Sequence, residues 1–567
     1  MDKPWIQSYP PGVPPEIALD DLVCIGDYFL EAVARYPQRN AFVSGATGQA
    51  LSYQSLASLS QQLAAWFQQE LKLPAGSRVA LMMPNLLQYP VCLLALLRAG
   101  YVVVNVNPMY TPRELEHQLK DSGASAMVVV DLFAHVLEKV IAQTNVRHTV
   151  VTGLADMMPT WKRQLAHFVI RRLKKLVRPY QLPGHTRLLD AIAQGRLHTL
   201  ERVPVGPEDL AFLQYTGGTT GVSKGAMLTH RNVLANARQG KVWSDPFLDP
   251  DEELVSITAI PLYHVFALGS CLSFIGMGGT NVLVADPRDT AGFIKVLARH
   301  PFTGMPAVNT LFNDLTRHPA FAKLDFTRLR FAIGGGAAIQ QAVAQRWQQI
   351  TGKPLVEGYG LTECSPTVTC NPLDLKEHNG AIGLPLPSTE VSLRDAQGQP
   401  VAPGQSGELC VRGPQVMAGY WQRPQETAHI MTEDGFLRTG DLAVMDDKGF
   451  LRIVDRLKDM ILVSGFNVYP NEVEEVAMLH PGVREAAAVG VPDPHSGDRV
   501  KLFVVRADPG LQEDALRAHC RRHLTGYKQP SEIEFMPELP KSQVGKILRR
   551  ELRQRQANPS PEQQAAT

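Results

Sequence analysis

Tyr215-Thr216-Gly217-Gly218-Thr219-Thr220-Gly221-Val222-Ser223-Lys224-Gly225-Ala226 decides the reading of this 567-residue chain. Its glycines let the backbone turn tightly and bring N–H groups close to an anion. Thr216, Thr219, Thr220 and Ser223 add hydroxyl donors, and Lys224 adds a positive charge. Together these make a polyphosphate cradle. It is not a Walker A loop, in which Ser or Thr follows Gly-Lys, because here Gly225 follows the lysine. Apolar Ala211-Phe212-Leu213 leads in and Ala226-Met227-Leu228 follows, a strand-like frame that a solvated Gly/Thr linker would lack.

Before this loop, strand and helix patterns alternate. Phe29-Leu30 and Ala32-Val33 have helical spacing, and Ala41-Phe42-Val43 reads as a short strand. Arg78 to Met83, Tyr101 to Val106 and Ala126 to Val130 read as buried strands, with helices through Val91–Leu97 and Glu114–Ser122 between them. Such alternation predicts an α/β fold with parallel sheets and helices on both faces. After the loop come a helix over 230–240 and strands at Phe331-Ala332-Ile333 and Pro354-Leu355-Val356. Residues 385–455 switch to short strands and Gly/Pro turns, predicting a small β-barrel-like lobe. A smaller α+β unit follows Asp455. The boundaries expected are 1–456 for a large N-terminal domain, 457–555 for a C-terminal one and 556–567 for a disordered tail.

Hydrophobic residues at 44% and charged residues at 20% are ordinary for globular proteins. A net charge of +1 gives no whole-molecule field for nucleic acid. Seven scattered cysteines without a Cys-x-x-Cys fit a reducing compartment rather than a disulfide framework or zinc site. The proline-rich start has no apolar stretch of the signal-peptide kind. Residues 254–285 lack Asp, Glu, Lys and Arg, but Pro261, His264, Gly269 and Gly276 interrupt them, so the expectation is a buried strand-helix-strand passage, not a membrane span.

One run stands apart. No Asp or Glu occurs from residue 157 to 189, while Lys162, Arg163, Arg171, Arg172, Lys174, Lys175 and Arg178 alternate with Trp161, Leu165, Phe168, Leu173 and Leu176. A basic amphipathic helix near 159–178 reads either as a membrane-surface element or as a solvated helix. No nucleic-acid-binding motif accompanies it.

Further motifs carry chemistry. Gly358-Tyr359-Gly360-Leu361-Thr362-Glu363 offers a flat ring and a hard oxygen ligand. Gly334-Gly335-Gly336-Ala337 lets a ligand lie against bare backbone. Thr439-Gly440-Asp441 offers a carboxylate for ribose hydroxyls, with Arg456 and Lys458 following. Pro261-Leu262-Tyr263-His264-Val265-Phe266 sets one histidine in an apolar run, where a core role is the ordinary one. Pro540-Lys541-Ser542-Gln543-Val544-Gly545-Lys546 puts a lysine after glycine on a polar loop.

Taken together, these motifs resemble the adenylate-forming superfamily, and within it the bacterial long-chain fatty acid–CoA ligases. Val79 to Asn85, Asn107 to Leu115 and Val463 to Pro470 extend the likeness over nearly the whole chain. The resemblance implies ATP-dependent conversion of a fatty acid to acyl-CoA through an acyl-adenylate, feeding fatty acid degradation. ATP, Mg2+ and coenzyme A are the cofactor and co-substrates it implies. Lys546 would be the adenylation lysine, with His264 and Glu363 also catalytic and Glu363 and Thr216 on the metal. The nucleotide would contact Tyr215, Thr216, Gly217, Gly218, Thr219, Thr220, Gly221, Lys224, Gly335, Gly336, Ala337, Gly358, Tyr359, Gly360, Thr362, Asp441 and Arg456. Lys458 would be the hinge. A cytoplasmic enzyme touching inner-membrane lipid through the basic helix is expected, with a homodimer left open. The rivals are a medium-chain or aryl acid–CoA ligase of the same fold, and a nucleotide-sensing or membrane-binding protein with a dead site.

Overall fold

The computed structural model describes residues 3–216, 223–464, 466–493, 496–542 and 545–557. Among these residues four sheets form. In the seven-stranded sheet, Thr186–Arg187, His148–Thr152, Ala126–Val130, Arg78–Met82, Val102–Asn105 and Leu210–Thr216 run parallel in that spatial order. Lys224–Thr229 pairs antiparallel at the edge. All six parallel strands therefore present their carboxyl ends along one rim, where open α/β sheets place ligands. Strands such as Ala126–Val130 are buried at every residue, as a sheet covered on both faces requires.

The nine-stranded sheet is built mainly from residues 255–385, with Asn40–Ser44 and Ala50–Ser52 at one edge. The uncharged passage is the expected strand-helix-strand: Val255–Thr258, Val265–Gly276 and Thr280–Leu283. Its helix is too short to cross a bilayer, and among the described residues no helix is long and apolar enough to do so. One apolar core joins both large sheets and the β-rich lobe, running from Val79 and Leu81 through Leu268 and Phe331 to Leu409 and Leu437. The lobe itself is four antiparallel strands: Glu390–Arg394, Gly407–Arg412, Leu437–Met445 and Leu451–Arg456.

The C-terminal sheet has its own cores. Along its two longest strands alternate residues face opposite ways. Ala486, Ala488, Leu502 and Val504 join one cluster, and Ala487, Val489, Phe503 and Val505 the other. This separate burial is what makes the C-terminal unit a domain of its own. The mixed α/β architecture, with parallel-sheet subdomains and a separate C-terminal domain, is the one expected.

Three local expectations change. The basic helix is shorter than 159–178: Thr160–Phe168 is α-helical and Val169–Leu173 a wider π turn. Positive φ at Lys175 (48°) and then Pro179 stop it, so Arg178 lies on the following loop. The strand expected at Pro354-Leu355-Val356 runs on through the glycine motif, as Leu355–Gly360. Residues 556–557 close the last helix, Arg549–Ala557, and 558–567 lie outside the described residues.

Candidate active site

The loop that opened the sequence reading leaves the rim at Thr216 and returns at Ser223. Gly217, Gly218, Thr219, Thr220 and Gly221 lie outside the described residues. Its two ends are fixed. The Ser223 hydroxyl donates to the Thr216 carbonyl at 2.7 Å, and the Tyr215 hydroxyl donates to Asp121 at 2.8 Å. Lys224 forms an ion pair with Glu426 and lies 5.3 Å from the centre of the Tyr420 ring. Tyr420 in turn donates to Glu363 Oε1 at 2.6 Å. Glu363 is thus drawn to within a short chain of contacts from the loop, along with Tyr420, Glu426 and Asp121, which the sequence reading missed. No charge pattern near 420–426 marks them; a Gly-Tyr-Trp run at 419–421 was the one available signal.

A second cluster forms where the lobe meets the nine-stranded sheet. Strands Leu437–Met445 and Leu451–Arg456 pair Asp441 with Arg456, and Arg456 Nε lies 3.0 Å from Asp441 Oδ1. The Tyr359 hydroxyl donates to the other oxygen, Oδ2, at 2.6 Å. Burial, and then the facing Asp441 carboxylate, holds the Tyr359 phenol well above its usual range, so it stays a donor. Each Asp441 oxygen keeps a free lone pair beyond these bonds. The Gly335–Ala337 loop runs alongside: a Cβ on Gly335 would stand 3.1 Å from the Phe266 ring and 3.3 Å from the Gly358 carbonyl. Thr362 opens a 3-10 turn, Thr362–Cys364, directly after the Gly358–Gly360 strand end.

Lys546 arrives from the C-terminal domain. Its loop is closed by Ser542, whose backbone N–H donates to the Lys546 carbonyl at 2.7 Å and whose hydroxyl accepts from Lys546 N–H at 3.2 Å. Gly545 takes φ +78°, and a Cβ there would meet Thr310 Oγ1 at 2.4 Å, so only glycine docks this turn on helix Asn309–Arg317. Burial, followed by the like charge of Arg456, pushes the Lys546 ammonium down to about 8, while Asp441 opposes the shift. Lys458 is likewise lowered to about 8 by burial and then by Arg456. The Lys546 charge also reaches His264.

His264 caps helix Val265–Gly276, and its Nδ1 accepts from the Phe266 N–H at 3.3 Å. Burial and then Lys546 push its pKa down to about 4. It is therefore neutral at pH 7, with the proton on Nε2: a hydrogen-bond donor without charge. The fold brings Lys546, His264, Asp441, Arg456, Lys458 and Tyr359 into one neighbourhood, and holds Glu363 and Lys224 in the adjoining one.

Among the described residues no group of three or more His, Cys, Asp or Glu could hold a metal. A Mg2+ is commonly held by one or two carboxylates together with a substrate's phosphates. Glu363 suits it: Tyr420 fixes one carboxylate oxygen, leaving the other for a hard cation.

The sequence profile of the AMP-binding enzymes matches residues 29–421, and that of their C-terminal domain matches 472–546. The long-chain-fatty-acid–CoA ligase of Escherichia coli O157:H7 is 57% identical over 98% of both chains. That of Haemophilus influenzae is 50% identical, again over 98% of both. Among solved structures, ATP-bound MatB from Rhodopseudomonas palustris superposes with a TM-score of 0.81 at 28% identity, covering 94% of this chain and 99% of that one.

Proposed function

Because the chain belongs to the AMP-binding enzyme family, we propose that its cleft carries out the family reaction on a long-chain fatty acid, using ATP and coenzyme A. The fatty acid carboxylate attacks the α-phosphorus of ATP, an acyl–phosphate bond forms, and pyrophosphate leaves. The coenzyme A thiol then attacks the acyl carbon, AMP leaves, and the thioester is the product. Adenylation replaces a poor leaving group by a good one.

The convergence of Lys546 on Asp441, Arg456 and His264 carries this reading. Asp441 accepts from the ribose hydroxyls with its remaining lone pairs, and Arg456 braces it. Tyr359, anchored through its hydroxyl, offers its ring to the base between Gly358 and Gly360, with Gly335, Gly336, Ala337 and Thr362 alongside. Lys546 faces the charge that builds on the α-phosphoryl oxygens. His264, neutral, donates from Nε2 to the acyl carboxylate and adds no charge that would blunt its attack. Tyr215, Thr216, Lys224 and the loop residues Gly217, Gly218, Thr219, Thr220 and Gly221 take the distal phosphates, which requires Lys224 to exchange Glu426 for phosphate. Glu363 and Thr216 would hold Mg2+, which supplies positive charge against the pyrophosphate when bound.

Lys546 stands on a loop whose Gly545 carbonyl accepts from Thr310 of the large domain, and Arg317 of that domain donates to the Val483 carbonyl, an arrangement that suits the first half-reaction. We place the boundary at 456/457 and the hinge at Lys458, about which the C-terminal domain withdraws Lys546 and admits the thiol. The helix Thr160–Phe168 lays Trp161, Leu165 and Phe168 open to solvent, which suits contact with a lipid surface at the cytoplasmic face of the membrane. The homodimer rests on the resemblance alone. The test is AMP release with free acids from C4 to C18, with benzoate and coumarate as controls. The reading requires the highest kcat/KM at long chain length; a maximum at the aryl acids would move the chain to the rival specificity.

A further inference from the structure

At the carboxyl ends of strands His148–Thr152 and Thr186–Arg187 lies a recess of about 670 Å³. It opens on the same rim as the phosphate-loop strand Leu210–Thr216. Four strand spacings separate His148–Thr152 from that strand, roughly 19 Å at about 4.8 Å each. It is therefore a different site from the cleft.

Arg171, Arg172, Arg178, His185 and Arg187 line it, with Asp156 the one carboxylate among its lining residues. The acidic groups are already committed. Asp156 accepts from the Thr152 hydroxyl and the Gly153 N–H and sits 2.9 Å from His167. Asp131, nearby, holds Arg171 at 2.7 Å. The side chains of Arg172, Arg178 and Arg187 form no ion pair or hydrogen bond among the described residues. Three planar guanidinium groups around an open recess match the bidentate geometry of a phosphate.

The element above it points to where that phosphate resides. His167 and Arg171, four residues apart, tie the helix to the sheet rim through Asp156 and Asp131. The opposite face carries Trp161, Leu165 and Phe168, and beyond them Leu173 and Leu176, all between 48% and 67% exposed. An apolar ridge beside an unpaired arginine cluster has the two-part chemistry of a phospholipid: acyl layer for one, headgroup phosphate for the other. We propose that this recess is a headgroup site for an anionic phospholipid, seated by Arg172, Arg178 and Arg187. The proposal rests on the membrane contact inferred above and deepens it from a charged surface to a built site.

The experiment measures binding of the full chain to phosphatidylcholine vesicles containing phosphatidylglycerol. Two double variants each remove two charges: Arg178→Gln with Arg187→Gln inside the recess, and Lys174→Gln with Lys175→Gln on exposed positions outside it. The recess pair should weaken vesicle binding at least tenfold more than the lysine pair, with unchanged melting temperature and unchanged activity on detergent-dispersed acid. Equal losses in both pairs would overturn the headgroup site and leave only a charged surface. No vesicle binding by the parent would instead overturn the membrane contact itself. Thermal stabilisation of the parent by glycerol 3-phosphate, without vesicle binding, would assign the recess to a soluble phosphate and overturn the lipid source.

Discussion

In the cleft, Arg456 faces Asp441, Lys224 faces Glu426 and Tyr420 holds Glu363. In the recess at the other end of the same rim, Arg172, Arg178 and Arg187 face no carboxylate that is not already bound. Arg456, Lys224 and Glu363 are each oriented by an internal partner that a substrate can replace or share, which costs little reorganisation at the moment of reaction. The recess leaves its charge for something outside the chain. Solvent divides them as well: burial lowers Lys546 and His264, whereas the recess arginines stay exposed and cationic.

The sharpest break in that comparison is Lys546→Ala. Removing the ammonium proposed to face the α-phosphate should lower the adenylation rate by about a thousandfold. Thioester formation from supplied acyl-adenylate should largely survive, and so should vesicle binding. Equal loss in both half-reactions would refute the assignment. The same residue sets a pH dependence. Its ammonium is the active form and its pKa lies at about 8, so kcat/KM for adenylation should hold below about pH 8 and fall above it. An unperturbed lysine would hold to above pH 10. Loss of the falling limb in Lys546→Ala, and its retention in Lys458→Ala, assigns the titration to Lys546 and not to its equally lowered neighbour.

Lys458→Pro is the next largest. Fixing φ at the proposed hinge should leave adenylation in place and cut thioester formation by on the order of a hundredfold through misplacement of the thiol. An intact second step would move the hinge elsewhere. Neither substitution touches the recess, so a change in vesicle affinity in either would show that the two regions are coupled.

The motif residues were legible because their partners are local or lie on neighbouring strands. Asp441 and Arg456 sit across one antiparallel ladder, and Gly358-Tyr359-Gly360 carries its own signature. Tyr420, Glu426 and Asp121 were not legible: Tyr215 reaches Asp121 and Tyr420 reaches Glu363 only through tertiary folding, across 94 and 57 residues of chain. Arg187 escaped for a related reason. The basic run reads along a helix, whereas the recess is assembled across two strand ends, a helix end and a loop, and no periodicity reports that. Charge and apolar spacing do not report the left-handed φ at Lys175, just after the helical backbone has ended, and so they overrun the helix.

In the proposed reaction the acyl group passes through an adenylate before the thiol arrives. That order is tested most directly by a single-turnover mixture of enzyme, ATP, Mg2+ and labelled palmitate without coenzyme A. The account predicts palmitoyl-adenylate and pyrophosphate approaching one equivalent per active site, and conversion of that adenylate to palmitoyl-CoA with release of AMP when coenzyme A is added. Pyrophosphate and AMP appearing only after coenzyme A is present, with no adenylate beforehand, would contradict it.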